Sequence, residues 1–217
     1  YANSLNNLGG LYFDLGNYQK AEEHYLQDLA ITKIALGEEH PNYASSLHNL
    51  GGLYYNLGND QKAEEYYLQA LAIIKKALGE EHPYYASSLN NLGVLYKNLG
   101  NYQKAEAHYL QALAIKKKIL GEEYPDFTGS QYNLAQLRFL QQDYHASAQL
   151  LSTVYRFKSN EIVNNFEWLT DSQIEAYWEN ESDFFPRLGK YASVISPYQG
   201  AFTTIAYDAA LFSKSRL

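Results

Sequence analysis

Tyr43–Tyr84 reads YASSLHNLGGLYYNLGNDQKAEEYYLQALAIIKKALGEEHPY, and the chain writes this unit three times, as Tyr1–Asn42, Tyr43–Tyr84 and Tyr85–Asp126. Neighbouring copies agree at 32 of 42 positions. Within the second copy, Ala44, Leu47, Leu50, Gly51, Tyr54 and Leu57 recur at three- and four-residue spacing, the mark of an amphipathic helix A ending near Gly58. After a Gly58–Asn59 turn, Ala63, Tyr67, Ala70, Ile74 and Leu78 form a second stripe, helix B, closed by Gly79. The segment Gly79–Glu80–Glu81–His82–Pro83 connects to the next unit, because Pro83 cannot continue a helix but suits the first turn of a new one.

A unit this short cannot bury its own apolar face and is stable only when stacked on its neighbours. The expected fold is therefore all-α, a right-handed superhelical solenoid of antiparallel helix pairs followed by a helical cap. A fourth unit at 127–159 is degenerate: Leu134 and Ala135 persist, but Arg138 stands for the tyrosine, Gln142 for the glycine and Ser147 for the helix B alanine. The repeats thus occupy 1–159 as 1–42, 43–84, 85–126 and 127–159, and 160–217 forms a separate aromatic-rich segment.

The unit resembles the tetratricopeptide repeat. The match rests on Leu50, Gly51, Tyr54, Gly58, Ala63, Tyr67 and Ala70, and on Leu92, Gly93, Tyr96, Gly100, Ala105, Tyr109 and Ala112. Copy one keeps Leu8, Gly9, Tyr12, Gly16, Ala21 and Tyr25, but Asp28 replaces the last alanine. The 42-residue period, longer than the usual unit, is similar to the repeats of kinesin light chains and of many bacterial multi-repeat proteins.

A net charge of −7 argues against nucleic acid as the main ligand, since phosphate binding needs a basic face. No apolar run reaches the roughly 20 residues of a membrane span and no signal peptide is visible, so a soluble, cytoplasmic protein with no membrane partner is expected. With no cysteine in the chain, disulfides, thiolate metal sites and a cysteine nucleophile are excluded from it. No nucleophile and base converge in the pattern, so neither catalysis nor a cofactor is expected. The chain has no methionine and begins inside a repeat, which reads as a piece of a longer protein.

In tetratricopeptide arrays, helix A lines the concave groove, and the resemblance carries the ligand-contacting positions onto this sequence. They are Asn3, Asn6, Asn7, Gly10, Phe13 and Asp14 in copy one, and Ser45, His48, Asn49, Gly52, Tyr55 and Asn56 in copy two. Copy three supplies Ser87, Asn90, Asn91, Val94, Lys97 and Asn98. Asn7, Asn49, Asn91 and Asn133 share one register, a ladder of carboxamides suited to the backbone of an extended peptide or, alternatively, to bonding the neighbouring helix. Phe13 and Tyr55, with Gly10 and Gly52, suggest a partly apolar floor with aromatic walls. Lys97 is the one cation at these positions, so a carboxylate clamp, which needs several, is not expected.

Most of the 22 tyrosines read as core packing. His40 and His82 lie beside paired glutamates in the connectors, and His24 and His108 recur on helix B. Each is isolated from a second nitrogen ligand in its own repeat and the third connector has Tyr124 instead, so no metal is expected and the connector histidines read as solvated loop. Lys116–Lys117–Lys118 reads as a solvated helix end whose cations offset the macrodipole.

From about Asn160 the composition changes, and both tryptophans appear among Phe166, Trp168, Trp178, Phe184 and Phe185. Thr170 and Gln173 form a capping-box pattern before a further helix, Ser196–Gly200 reads as a turn, and Phe202–Phe212 as a last helix. FEWLTDSQIEAYW (166–178) and AYDAALFSKSRL (206–217) resemble the connector between repeats and peptidase in bacterial TPR-CHAT proteins. That resemblance implies a sensor arm whose groove binds a protein or peptide and signals to a caspase-like peptidase domain in cis, absent from this chain. The other reading is a kinesin-light-chain-like adaptor.

Overall fold

The computed structural model describes residues 2–121 and 125–166, and side chains within 4–119 and 126–157 together with Gly121. The described residues are helical throughout, with no strand, in eight helices. They are α1 (Ala2–Asp14), α2 (Tyr18–Leu36), α3 (Pro41–Asn56), α4 (Asp60–Leu78), α5 (Pro83–Asn98), α6 (Tyr102–Leu120), α7 (Pro125–Leu140) and α8 (Tyr144–Phe166). Odd-numbered helices are the A helices and even-numbered ones the B helices. They fall into two compact units, Tyr1–Ile119 and Leu120–Leu217, each described by itself below.

The hairpin turn between helices A and B is written into Leu57–Gly58–Asn59. The Asn59 amide donates back to the Tyr54 carbonyl at 2.8 Å, a closure that holds Gly58 at φ 72°, in the left-handed region that glycine tolerates best. Asn59 then turns to its other side. Its Oδ1 accepts from the Lys62 amide at 3.2 Å and caps α4. Asn17 and Asn101 cap α2 and α6 in the same way.

The connector histidines act as caps rather than as the solvated loop expected. Nδ1 of His40 accepts from the Asn42 amide at 3.1 Å, and Nδ1 of His82 from the Tyr84 amide at 3.2 Å, each just before Pro41 or Pro83 opens a helix A. An unprotonated imidazole nitrogen can serve where Ser, Asp or Asn usually caps, because the first amides of a helix lack partners.

Ala44, Leu47, Leu50, Tyr54, Ala63, Tyr67, Ala70 and Ile74 are buried, as are Tyr85, Ala86, Leu89 and Ala112. Ala44, Leu47, Ala70, Ile74, Tyr85, Ala86, Leu89 and Ala112 form one cluster, to which copies two and three both contribute. The stripes overreached at their ends. Leu57 and Leu78 are exposed, because each lies at a helix terminus past the last packed turn. Leu53, outside the expected stripe, is fully buried. On α1 the counterparts of Leu50 and Leu53, Leu8 and Leu11, are 41% and 53% exposed, since among the described residues no helix pair covers that side.

Gly9, Gly51 and Gly93 give helix B its closest approach. A Cβ on Gly51 would sit 2.6 Å from Tyr67 Cδ1 and 2.7 Å from Cε1, so the tyrosine ring occupies the space that a side chain would need. Burial pushes the Tyr67 phenol up to about 12.

Lys116 corrects another expectation. It is 5% exposed, because it occupies the core register held by Thr32 and Ile74 in the earlier copies, where α4 packs Ile74 into its cluster. Lys118 does reach the surface, where it pairs with Glu81. Lys76 pairs with Glu39 in the same register. These pairs are exposed and each contributes little, on the order of 0–1 kcal/mol.

In the second unit the degenerate repeat keeps its hairpin by substitution. Gln142 takes the glycine's place at φ 64°, and Asp143 Oδ1 caps α8 by accepting from the Ala146 amide at 3.1 Å. Ser147 is fully buried where the other copies have alanine, and its hydroxyl donates to the Ala135 carbonyl of α7 at 2.9 Å. Helix α8 runs on to Phe166, past the 159 boundary read from composition. The capping box at Thr170, the turn at 196–200 and the last helix at 202–212 lie outside the described residues.

Candidate functional site

The A helices α1, α3 and α5 are joined along one register by side-chain rungs, and these decide what the asparagine ladder does. Asn49 Nδ2 donates to Asn6 Oδ1 at 2.6 Å, and Asn91 Nδ2 lies 2.7 Å from His48 Nε2. Each asparagine therefore bonds the A helix before it. Burial lowers the pKa of the His48 imidazole, and because the Asn91 amide nitrogen can only donate, Nε2 of a neutral ring accepts from it. The His48 ring also lies against Tyr67, with centroids 5.2 Å apart.

A further rung joins Asn98 to the Tyr55 hydroxyl. Its counterpart one repeat earlier cannot form, since Phe13 has no acceptor. Asn56 turns instead to the Gly52 carbonyl of its own helix at 2.9 Å. Phe13 packs against Tyr18, centroids 5.7 Å apart. Phe13 is thus engaged with the start of α2, and Tyr55 with the next A helix.

Replacing Asn49 and Asn91 together by alanine removes one interhelix hydrogen bond at each of two interfaces and leaves Asn6 Oδ1 and His48 Nε2 without their donors. At about 1 kcal/mol per bond, the expected result is a fall in thermal midpoint of roughly 4–8 °C, read by circular dichroism. An unchanged midpoint would show that the rungs do not hold the helices.

A second series of contacts ties helix A to the preceding helix B. The Tyr54 hydroxyl donates to Glu22, and the Tyr96 hydroxyl to Glu64 at 2.5 Å. Burial first, then the glutamate's hydrogen bond and charge, push both phenols up to about 12, which keeps them protonated as donors. Lys62 and Lys104 stand over these rings at 4.3 and 4.6 Å. Tyr66 and His108 stack on the same rings, with centroids 5.5 and 5.4 Å away.

Between α1, α3 and α5 lies an open cleft of about 370 Å³ lined by Asn6, Ala44, Ser45, His48, Asn49, Ile74, Tyr84, Ser87 and Ser88. The cleft collects Asn6, Ser45, His48 and Asn49 from the expected set, together with Ser87. Phe13, Asp14, Tyr55, Asn56, Lys97 and Asn98 lie elsewhere on the A helices, at their C-terminal ends. Asn91 is tied to His48, Asn90 is half-buried on α5, and Asn7 is exposed on α1. Asn3 belongs to α1, with its side chain outside the described set, and Asn133 is half-buried on α7 in the second unit. Lys97 is half-buried, and burial lowers its pKa. Sequence reasoning missed Tyr84, Ser88, Ala44 and Ile74 as cleft residues. Tyr84 was open to discovery, because it stands where the other copies hold Asn42 and Asp126.

None of the lining residues is Lys, Arg, Asp or Glu. Among the described residues, no three His, Cys, Asp or Glu side chains are placed to hold a metal, and no helix is long and apolar enough to cross a membrane. The arrangement is that of an all-α repeat array presenting a neutral cleft on its A helices.

The family profile of the tetratricopeptide repeat matches residues 1–76, 48–118 and 89–160, and the chain belongs to that family. Among solved structures it is similar to a variant form of a candidate kinesin light chain of Podosopora anserina with nearly identical TPR-like repeats. The identity is 26%, over 99% of this chain and 95% of that one, with a TM-score of 0.72. BtubC (BKLC) from P. vanneervenii shares the fold at TM-score 0.75 and 23% identity, over 97% of this chain and 77% of that one. The apo form of RapI does so at TM-score 0.65 and 18% identity, over 99% and 82%. A nucleotide-binding leucine-rich repeat (NLR)-like protein of Hyaloscypha variabilis is 47% identical over 38 residues, 18% of this chain, and the match spans 4% of that protein's length.

Proposed function

We propose that the chain is a protein-interaction module of the adaptor kind, holding an extended polypeptide segment against its A helices. The observation that carries this reading is the uncharged cleft, open to solvent, whose lining comes mainly from three A helices bound together by the Asn49 and Asn91 rungs. A pre-tied surface loses little entropy on binding, and amide and hydroxyl groups suit a peptide backbone. The 26% identity to the kinesin-light-chain candidate, over nearly the whole of both chains, supports an adaptor. The alternative sensor arm of a caspase-like peptidase rests on residues 166–178 and 206–217, of which all but Phe166 lie outside the described residues. The likeness to the kinesin-light-chain candidate over nearly the whole of both chains gives the adaptor reading precedence.

The test is affinity capture with the array as bait, comparing wild type with Ser45→Arg in the cleft and Gln61→Arg on the exposed face of α4. Partners kept by Gln61→Arg and lost by Ser45→Arg are the expected result. The same partners on all three baits would sink the reading.

A further inference from the structure

A surface built from near-identical copies repeats its chemistry every 42 residues, so a ligand lying along it has no fixed register unless something breaks the repetition. The cleft contains the break. Ala44, Asn49 and Ser88 have the same residue in another copy, but three lining residues differ from every equivalent in copies one to three. His48 stands where Asn6 and Asn90 occur, Ile74 where Thr32 and Lys116 occur, and Tyr84 where Asn42 and Asp126 occur. Each change moves toward an uncharged aromatic or aliphatic group, and all three meet in one cleft.

We propose that this cleft is the anchor subsite of the A-helix surface, taking one uncharged side chain of an extended peptide, with His48, Ile74 and Tyr84 as the residues that select it. The inference rests on the proposed function and deepens it. Ala44 and Ile74 form an apolar floor, both almost fully buried. His48 has committed Nε2 to Asn91, so it offers the cleft a neutral ring. Tyr84 is 59% exposed and its ring lies 5.1 Å from that of His82, which positions a large apolar surface at the cleft before any ligand arrives. Ser45, Ser87 and Asn49 add uncharged polar groups. The volume of about 370 Å³ holds a side chain with its flanking backbone. An entering carboxylate or ammonium would lose part of its water and meet no opposite charge in the lining, which disfavours it against an uncharged group.

The array itself supplies variants that its fold tolerates. His48→Asn recreates the Asn6–Asn49 rung, and Tyr84→Asn recreates Asn42 in the same helical turn. The probe is a random octapeptide library with blocked termini, selected on the whole chain. Wild type is expected to enrich peptides with an uncharged residue at one position. The double variant should bind the best of these about tenfold more weakly or worse, with an unchanged thermal midpoint. If the double variant melts lower, Tyr84→Asn alone, at an exposed residue, carries the same comparison. Enrichment of Asp, Glu, Lys or Arg at that position, or wild-type affinity in the variant, overturns the subsite while leaving the interaction surface standing. A library from which nothing is enriched, or whose ligands ignore Ser45→Arg, overturns both.

Discussion

Gly51→Ala is expected to lower the thermal midpoint by roughly 6–12 °C, while Gly52→Ala, one residue along, leaves it unchanged or raises it. A Cβ on Gly51 would meet Tyr67 ring carbons at 2.6 and 2.7 Å, closer than real Cβ contacts allow, so either the ring or helix B must move. Tyr67 is 5% exposed and has little room to yield. Overpacking of this kind costs about 3 kcal/mol, at roughly 2–4 °C per kcal/mol for a chain of this size. At Gly52 the nearest atom to an added Cβ is the Tyr67 hydroxyl at 3.5 Å, an ordinary contact, and alanine gains about 1 kcal/mol of helix propensity. The copies agree with this difference. Copies one to three all hold glycine here, as Gly9, Gly51 and Gly93, but the next position holds Gly10, Gly52 and Val94. Thermal melts of both variants decide the point, and Gly51→Ala should cost less when Tyr67 is also replaced by leucine. Equal melts for the two alanines would show that the close approach does not govern stability.

Converting Asp28 to alanine and Thr32 to isoleucine is expected to raise the midpoint, by roughly 4–8 °C. Asp28 is 3% exposed on α2, and its carboxylate is met by two hydroxyls, Ser46 at 2.6 Å and Thr32 at 3.5 Å. Two neutral donors replace only part of the hydration a carboxylate loses, and apolar residues at such sites are often more stabilising, here by about 2 kcal/mol. The next interface shows the alternative already built: Ala70 and Ile74 occupy the same positions inside an apolar cluster. Ser46 would keep the Asn42 carbonyl, 3.1 Å away, as Ser88 keeps that of Tyr84 at 2.9 Å. Ser46→Ala alone should have the opposite sign, since it removes the carboxylate's shorter hydrogen bond and leaves the charge buried. A melt in which Asp28→Ala with Thr32→Ile loses stability would show that the polar contact is worth more than its desolvation.

Helix number, hairpin turns and most of the core were legible in the sequence, because they depend on local and periodic chemistry. Leucine and alanine at helical spacing, Gly58 beside Asn59 and Pro83 after a connector act within a few residues of themselves, whatever surrounds them. The groove residues were legible as positions on helix A, but not as a site. Asn49 and Asn91 look alike in sequence whether they face a ligand or a neighbouring helix. The choice depends on what lies one repeat away, at Asn6 and His48. His40, His82 and Lys116 went astray for the same reason: capping geometry and burial depend on where the chain folds back.

By itself, then, the sequence determined that this is an all-α array of 42-residue helix pairs, since a unit unable to bury its own apolar face must stack. Only the tertiary structure decided which polar groups hold the stack and which of them also line the cleft, as Asn6, His48 and Asn49 do. Hydrogen bonds such as Asn49–Asn6 and Asn91–His48 join residues a full repeat apart, and no local pattern encodes the distance between them.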